Sequence, residues 1–182
     1  MPFIGVITER KKEVEFANRL KEKLDEGKVK AEIILINENS IENIRNVKFS
    51  AIFIGAVTNV FEQKEKLIKL LEEAQYVIIN ADLERILDLM KNIETTVISY
   101  GFNSKSTITA SSVGEERILI CVQREFENIF KQKVEPQEIS VKNELKNEYI
   151  SMGIASICLL YGIKCNIFWK NLTFYVDKLR KR

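Results

Sequence analysis

Short apolar runs alternate with amphipathic segments along the first hundred residues. Residues 3–8 form an apolar, β-branched run that predicts a strand buried on both faces. Residues 11–26 carry apolar side chains three or four positions apart among charged ones, which predicts an amphipathic helix. Further strands are predicted at 32–36, 51–54, 76–79 and 96–100, and helices or turns at 41–47, 60–74 and 83–92. Because such strands need crossover connections, the pattern predicts a mostly parallel, Rossmann-like sheet with helices on both faces.

The pattern changes after Gly101. Two β-rich segments, 106–112 and 117–123, are separated by a short turn, which predicts an antiparallel hairpin. Residues 138–141 predict a third short strand, and we expect these strands to form a small second sheet. Residues 145–161 predict a strongly apolar helix in the core. A final helix is predicted from an apolar stripe that comprises Phe168, Leu172, Tyr175, Val176 and Leu179.

These elements predict one α/β domain over residues 1–182. A three-layer part with a mostly parallel sheet and helices on both faces covers about 1–102. A small antiparallel β segment and C-terminal helices follow over about 103–182. No repeat, low-complexity stretch or Pro/Gly-rich linker divides the chain.

The amino-acid composition excludes several kinds of binding and catalysis. Lys and Arg number 28 against 26 Asp and Glu, so the net charge of +2 gives no reason to expect nucleic-acid binding. Histidine is absent, which excludes mechanisms with an imidazole base or a His-ligated metal. The three cysteines have no CxxC spacing, and no apolar run has the length of a signal peptide or a membrane span. We therefore expect a cytoplasmic protein with no metal site.

Several strings resemble the central, ATP-binding domain of the Mur ligases, which join amino acids to peptidoglycan precursors. Residues 75–101 contain Asn80-Ala81-Asp82 after a strand and end the next strand in Tyr100-Gly101, which is similar to the family's strand, turn, helix and strand. The hairpin at 106–123 and the helix that ends in Leu160-Tyr161-Gly162-Ile163 resemble the segments that follow in the family. The resemblance implies the α/β fold predicted above, and in an active member it implies an ATP-dependent ligase.

The phosphate-binding loop of that family is missing here. A Mur ligase follows its first strand with G-x-x-x-x-G-K-[ST], whose backbone amides, Lys and hydroxyl hold the phosphates and magnesium. Residues 8–14 stand in that place, without glycine and with Glu9 and Glu13, which would repel a polyphosphate. Of the family's G-x-H-N-x-x-N string before the last apolar helix, only Asn147 remains. We therefore expect no ATP cofactor, no catalytic residue and no ligase activity.

Candidate ligand-binding residues follow the strands at the carboxyl edge of the predicted sheet, where doubly wound folds bind ligands. A basic loop beside a helix N-terminus at this edge would suit a small anion or a nucleotide. The structural alternatives are a solvated helix start at residues 8–11, a helix cap formed by Asp82 and a turn stabilised by Asn80. The candidates are Thr8, Arg10, Lys11, Thr58, Asn59, Asn80, Asp82 and Asn147.

Two functions remain open at this point. One is a non-catalytic or regulatory protein on a Mur-ligase-like scaffold, for which a homodimer through exposed apolar helix surface is the expected assembly. The other is a protein or enzyme that binds a nucleotide or another small anionic metabolite in the crevice. The sequence indicates no further partner.

Overall fold

The computed structural model describes residues 1–91 and 93–164. Eight of its strands form one sheet, in the order β10-β7-β6-β5-β4-β3-β1-β2. The strands are β1 Phe3–Ile7, β2 Glu32–Leu35, β3 Phe49–Ile54, β4 Tyr76–Asn80, β5 Thr96–Tyr100, β6 Ile108–Val113, β7 Arg117–Val122, β8 Phe126–Glu127, β9 Lys133–Val134 and β10 Gln137–Lys142. The helices are α1 Glu13–Glu26, α2 Lys64–Glu72, α3 Glu84–Met90 and α4 Glu148–Leu160, with 3-10 turns at Ile41–Asn43, Asn59–Glu62 and Glu144–Lys146.

The first five strands pair in parallel, as the sequence pattern predicts. β1 lies between β2 and β3, and β4 and β5 continue the sheet beyond β3. The side chains of β1, β3 and β4 are almost continuously buried because helices cover both faces. The carboxyl ends of β1, β3 and β4 therefore lie side by side.

The antiparallel segment extends this same sheet, so the expectation of a separate sheet for it is wrong. β6 pairs in parallel with β5 through a single residue pair, Tyr100 and Ile108, and β7 and β10 then add in antiparallel order. The second sheet is a different one, in which β8 pairs with β9. The predicted class, a mostly parallel α/β fold followed by an antiparallel segment, is confirmed.

Helices α1 and α4 cover one face of the sheet, and α2 and α3 cover the other. α1 buries Phe16, Leu20 and Leu24 against the first face. α2 and α3 bury Leu67, Leu70, Leu71, Ile86 and Leu89 against the second. Each helix begins or ends a few residues inside its predicted range, and the predicted helix at 41–47 is only a 3-10 turn. The predicted helix at 168–179 lies outside the described residues.

Helix α4 is buried on all sides. All residues from Ile150 to Leu160 are buried, and α4 contacts α1 as well as strands β4, β5, β6, β7 and β10. The hydroxyl groups of its two serines donate hydrogen bonds to backbone carbonyl oxygens four residues earlier. Ser156 Oγ donates to Met152 O at 2.7 Å, and Ser151 Oγ donates to Asn147 O at 2.9 Å. Within residues 1–91 and 93–164, no helix combines the length and apolarity that crossing a bilayer requires.

Candidate functional site

Three loops and the start of α4 enclose a cleft at the carboxyl edge of the parallel strands. The loops follow β1, β3 and β4, which are neighbours in the sheet. The cleft, called the main cleft below, has a volume of about 420 Å³ and is lined by Thr8, Asn80, Asp82 and Asn147 among others. Small-molecule sites typically have volumes of about 300–1,000 Å³. Half of the sequence-predicted site residues therefore line one cavity of suitable size.

A smaller cleft of about 290 Å³, the side cleft, lies next to it. Arg10, Thr58 and Asn59 line the side cleft, and Thr8 lines both cavities. Lys11 is exposed and lines neither of them. The predicted site residues thus divide between two adjacent cavities, and Lys11 belongs to neither.

The connection from β1 to α1 is a short closed turn. Lys12 N donates to Glu9 O at 2.8 Å, and Phe16 N then donates to Lys12 O at 2.8 Å in the first turn of α1. Across the same turn, Lys12 Nζ lies 2.9 Å from Glu9 Oε2. The backbone amide and the side-chain ammonium of Lys12 are therefore both occupied by Glu9 within the turn.

Asn80 and Asp82 organise the loops after β4 and β5. Asn80 Oδ1 accepts from Asp82 N at 3.0 Å, so Asn80 stabilises the turn as its structural alternative predicts. The Asp82 carboxylate accepts from Phe102 N at 2.7 Å and from Asn103 N at 2.9 Å. The prediction that Asp82 caps the following helix is wrong, because Leu83 is the N-cap of α3 and no side chain caps it. Asp82 instead ties two neighbouring loops together.

Gly101 makes this contact sterically feasible. Its φ of +145° lies in a region that side-chain-bearing residues rarely occupy. A Cβ at this position would lie 2.7 Å from Asp82 Oδ2 and 2.8 Å from Asp82 Cγ. The Asn-x-Asp turn and the Tyr-Gly pair, which resemble the Mur ligase strings, are therefore two halves of one contact.

Three stacked aromatic rings form the floor of the main cleft. The centroids of Phe16 and Phe53 are 4.5 Å apart at an interplanar angle of 16°, and those of Phe53 and Tyr100 are 5.6 Å apart at 13°. A Cβ on Gly55 or Gly153 would approach the Phe53 ring to 2.7 Å, so both glycines leave room for it. The floor is thus filled by side chains that come from α1, β3 and β5.

Two tyrosines beside Asp82 are held in their neutral form. Burial raises the pKa of Tyr100, with smaller contributions from the negative charges of Tyr149 and Asp82. Burial also raises the pKa of Tyr149, together with the charge of Asp82 and a hydrogen bond to it. Both phenols therefore remain protonated at neutral pH and add no charge to the cleft.

Asn147 lines the main cleft from the start of α4. Its Oδ1 accepts from Ile150 N at 3.0 Å, so the side chain is the N-cap of this helix. The preceding turn is backbone-strained, with φ of +57° at Leu145 and +49° at Lys146. Buried Glu144 anchors the turn to α1 through Arg19 Nε at 3.3 Å. The segment that corresponds to the G-x-H-N-x-x-N string thus has a structural role here.

Several lining residues were not among the predicted site residues. Glu9, Lys12 and Tyr149 line the main cleft, as do Phe53 and Tyr100. The aromatic residues lie in apolar runs, where the pattern indicates core and gives no separate signal for a cavity. Glu9 was noted only for its charge. Tyr149 could have been found from its position two residues after Asn147, on the same helix start.

No cluster of three or more His, Cys, Asp or Glu side chains suited to a metal ion occurs within residues 1–91 and 93–164. A comparison with curated proteins gives no match.

The family model described as Mur ligase middle domain matches residues 52–143. This range runs from β3 to the end of β10 and contains the Asp82–Gly101 contact. The turn at residues 8–12 and helix α4 lie outside it. Because the matched range covers just over half of the 182 residues, the chain belongs to the Mur ligase middle domain family.

Proposed function

We propose that this Mur-ligase-like chain does not catalyse ATP-dependent ligation and acts as a non-catalytic, regulatory or scaffolding protein. The proposal rests on one observation, the closed turn between β1 and α1. A phosphate-binding loop needs free amides that point into a common space, glycines that allow close approach and a lysine that is free to reach the terminal phosphates. The turn at residues 8–12 contains no glycine, its Lys12 N is bonded to Glu9 O, and its Lys12 ammonium is paired with the Glu9 carboxylate.

The charges of the turn also act against a triphosphate. Lys12 is the residue nearest to the position of the family lysine, and it is paired with Glu9. Glu9 also faces the main cleft, where its charge opposes a triphosphate. Hydrogen bonding and charge therefore both act against ATP binding in this place.

Calorimetric titration with magnesium and ATP tests the proposal, together with an assay of phosphate release. We expect no saturable heat and no phosphate release at millimolar nucleotide, with an active Mur ligase as the positive control. Glu9→Gln separates the two causes, because it removes the negative charge and the ion pair with Lys12 but keeps the backbone hydrogen bond from Lys12 N to Glu9 O. We expect this variant to remain inactive as well. Saturable, magnesium-dependent ATP binding by the unmodified protein would refute the proposal.

A homodimer stays a prediction of this scaffold role. Exposed apolar side chains on the described helices include Val14 at 60% and Leu87 at 37%. Light scattering coupled to gel filtration measures the mass directly, and we expect about twice the 21.1 kDa of one chain.

We propose small-molecule binding in the main cleft as the second candidate function. The supporting observation is that polar side chains from three different elements face one cavity of about 420 Å³. A nucleotide or other anion is the ligand expected from the sequence, and this expectation stays untested. The charged side chains at the cavity do not favour it, since Glu9, Lys12 and Asp82 sum to a net charge of −1. A thermal-shift screen of charged and uncharged metabolites tests whether the cavity binds any of them.

A further inference from the structure

We infer that the main cleft binds a small molecule with a protonated amine next to a carbonyl or hydroxyl acceptor, and that it discriminates against anions. This inference rests on the small-molecule role proposed above and names the ligand class. Three features of the cavity support it: its charge, an unpartnered amide donor and an aromatic rim.

The charge of the cavity favours a cation. Among the described residues that line it, the charged ones are Glu9, Lys12 and Asp82. Lys12 is neutralised by Glu9 across 2.9 Å, which leaves Asp82 as the charge without an ionic partner. The Asp82 carboxylate accepts two backbone N–H groups and the hydrogen bond from Tyr149, whereas a carboxylate has about four acceptor positions, so one position remains. An ammonium group would supply the missing positive charge and additional donors.

Asn80 supplies the complementary donor. Its side chain is 5% exposed and lines the cavity. Oδ1 is occupied by Asp82 N, and within the described part of the chain Nδ2 has no hydrogen-bond partner. Because this amide donor has no protein partner and lines the cavity, a ligand acceptor at this place would be favourable. Because Asn80 and Asp82 belong to one turn, the acceptor and the amine of the ligand must be near neighbours.

An aromatic pair at the edge of the cavity adds an apolar contact. Tyr149 lines the cleft, and Phe102 packs edge-on against it with ring centroids 5.4 Å apart. Phe102 is not part of the cavity lining, so it supports the Tyr149 ring, which is the aromatic surface at this edge of the cleft. A ligand that carries a ring beside its amine and carbonyl would use all three features.

Three related probes test the ligand class. L-phenylalaninamide has the amine, the carbonyl and the ring. L-phenylalanine has a carboxylate in place of the carboxamide, and N-acetyl-L-phenylalaninamide lacks the positive charge of the amine. Each is titrated into ¹⁵N-labelled protein below the ordinary α-amino pKa of about 7.7–8.0, where the amine is protonated. The signals observed are the Asn80 side-chain amide and the backbone amides of Phe102 and Asn103. We expect L-phenylalaninamide to shift these signals and to bind about tenfold more tightly than either of the other probes.

Two glutamate variants form a matched pair. Glu9→Gln removes a negative charge from the main cleft, and Glu13→Gln makes the same change in the side cleft. We expect Glu9→Gln to weaken L-phenylalaninamide binding about threefold to tenfold, and Glu13→Gln to leave it unchanged.

The inference is overturned if no probe shifts these signals, if L-phenylalanine or the acetylated probe binds equally well, or if both glutamate variants behave alike. These outcomes leave the absence of ligase activity intact, because that proposal is decided by the ATP titration. A separate hit in the metabolite screen, with none of the amine probes bound, would retain the small-molecule role and reject this ligand class.

Discussion

Gly101→Ala tests whether the contact between the Asp82 carboxylate and the loop after β5 holds this edge of the sheet together. Backbone strain at a φ of +145° costs about 1–3 kcal/mol for a residue with a Cβ. The added Cβ would also meet Asp82 Oδ2 at 2.7 Å and displace a carboxylate that accepts two backbone N–H groups. A hydrogen bond to a charged group contributes about 1.5–3 kcal/mol, so we expect a total loss of about 3–5 kcal/mol.

Urea unfolding followed by circular dichroism measures this loss. For a chain of this length, 1 kcal/mol corresponds to about 2–4 °C, so the melting temperature should fall by about 6–20 °C. Gly162→Ala is the control for backbone strain, because Gly162 has a φ of +67° and a Cβ there would contact its neighbours at 3.4 Å. We expect this control to cost about 1 kcal/mol.

A double-mutant cycle with Asp82→Ala separates the clash from the strain. Without the carboxylate only the strain remains, so Gly101→Ala should cost about 2 kcal/mol less in the Asp82→Ala background than in the unmodified protein. Equal costs in the two backgrounds, or a cost for Gly101→Ala below about 1 kcal/mol in the unmodified protein, would refute the reasoning.

Three further changes have defined expectations, each measured by urea unfolding. Thr58→Val should stabilise the protein by about 1 kcal/mol, because Thr58 Oγ1 is buried without a hydrogen-bond partner in the described structure; a loss of stability would contradict this. Gly153→Ala should destabilise by about 1–2 kcal/mol despite the better helix propensity of Ala, since its Cβ would meet the Phe53 ring at 2.7 Å; a gain would show that the ring yields freely. Burial raises the pKa of Tyr161 to about 12, although its 2.5 Å hydrogen bond with Ser50 lowers it in part. The neutral phenol is therefore favoured in the folded state, and its contribution is complete below the unfolded pKa of about 10 and decreases by about 3 kcal/mol as pH rises to about 12. Tyr161→Phe should show an alkaline decrease that is smaller by about 3 kcal/mol, because Tyr100 and Tyr149 still contribute, and an identical pH profile in the variant would exclude the assignment.

The sequence predicted the parallel half of the fold because its signals are local. Runs such as residues 3–8 and 76–79 are apolar and β-branched, and each is followed by a helical period within a few residues. The pairing of β5 with β6 could not be predicted in this way. It depends on one residue pair, Tyr100 and Ile108, and on the backbone path between them, for which no periodicity exists.

The sequence predicted where the site lies in the fold but not which groups its side chains contact. The rule that ligands bind at the carboxyl edge of parallel strands located the main cleft and its side chains Thr8, Asn80 and Asp82. The actual partners of Asp82 are backbone amides about twenty residues away, at Phe102 and Asn103, and backbone groups leave no mark in a sequence. Helix-capping propensity therefore predicted the wrong role for Asp82.

Gly27 also has a partner that the local sequence does not indicate. Gly27 follows α1 as a helix stop should, yet its φ is −77° and the left-handed residue is Lys28 at +57°. The reason for glycine is packing, because a Cβ would meet the Ile163 side chain at 2.6 Å. Ile163 is remote in the sequence, so the residues around Gly27 carry no sign of this contact.

The complete burial of α4 has a consequence for how the chain folds as it is synthesised. The face of the sheet covered by α2 and α3 can close once β5 has emerged, because both helices precede that strand. The opposite face depends on α4 as well as α1, and α4 follows all ten strands of the described part of the chain. We expect nascent chains that stop before residue 148 to expose a broad apolar surface and to recruit chaperones, and we expect that surface to be covered when α4 emerges from the ribosome.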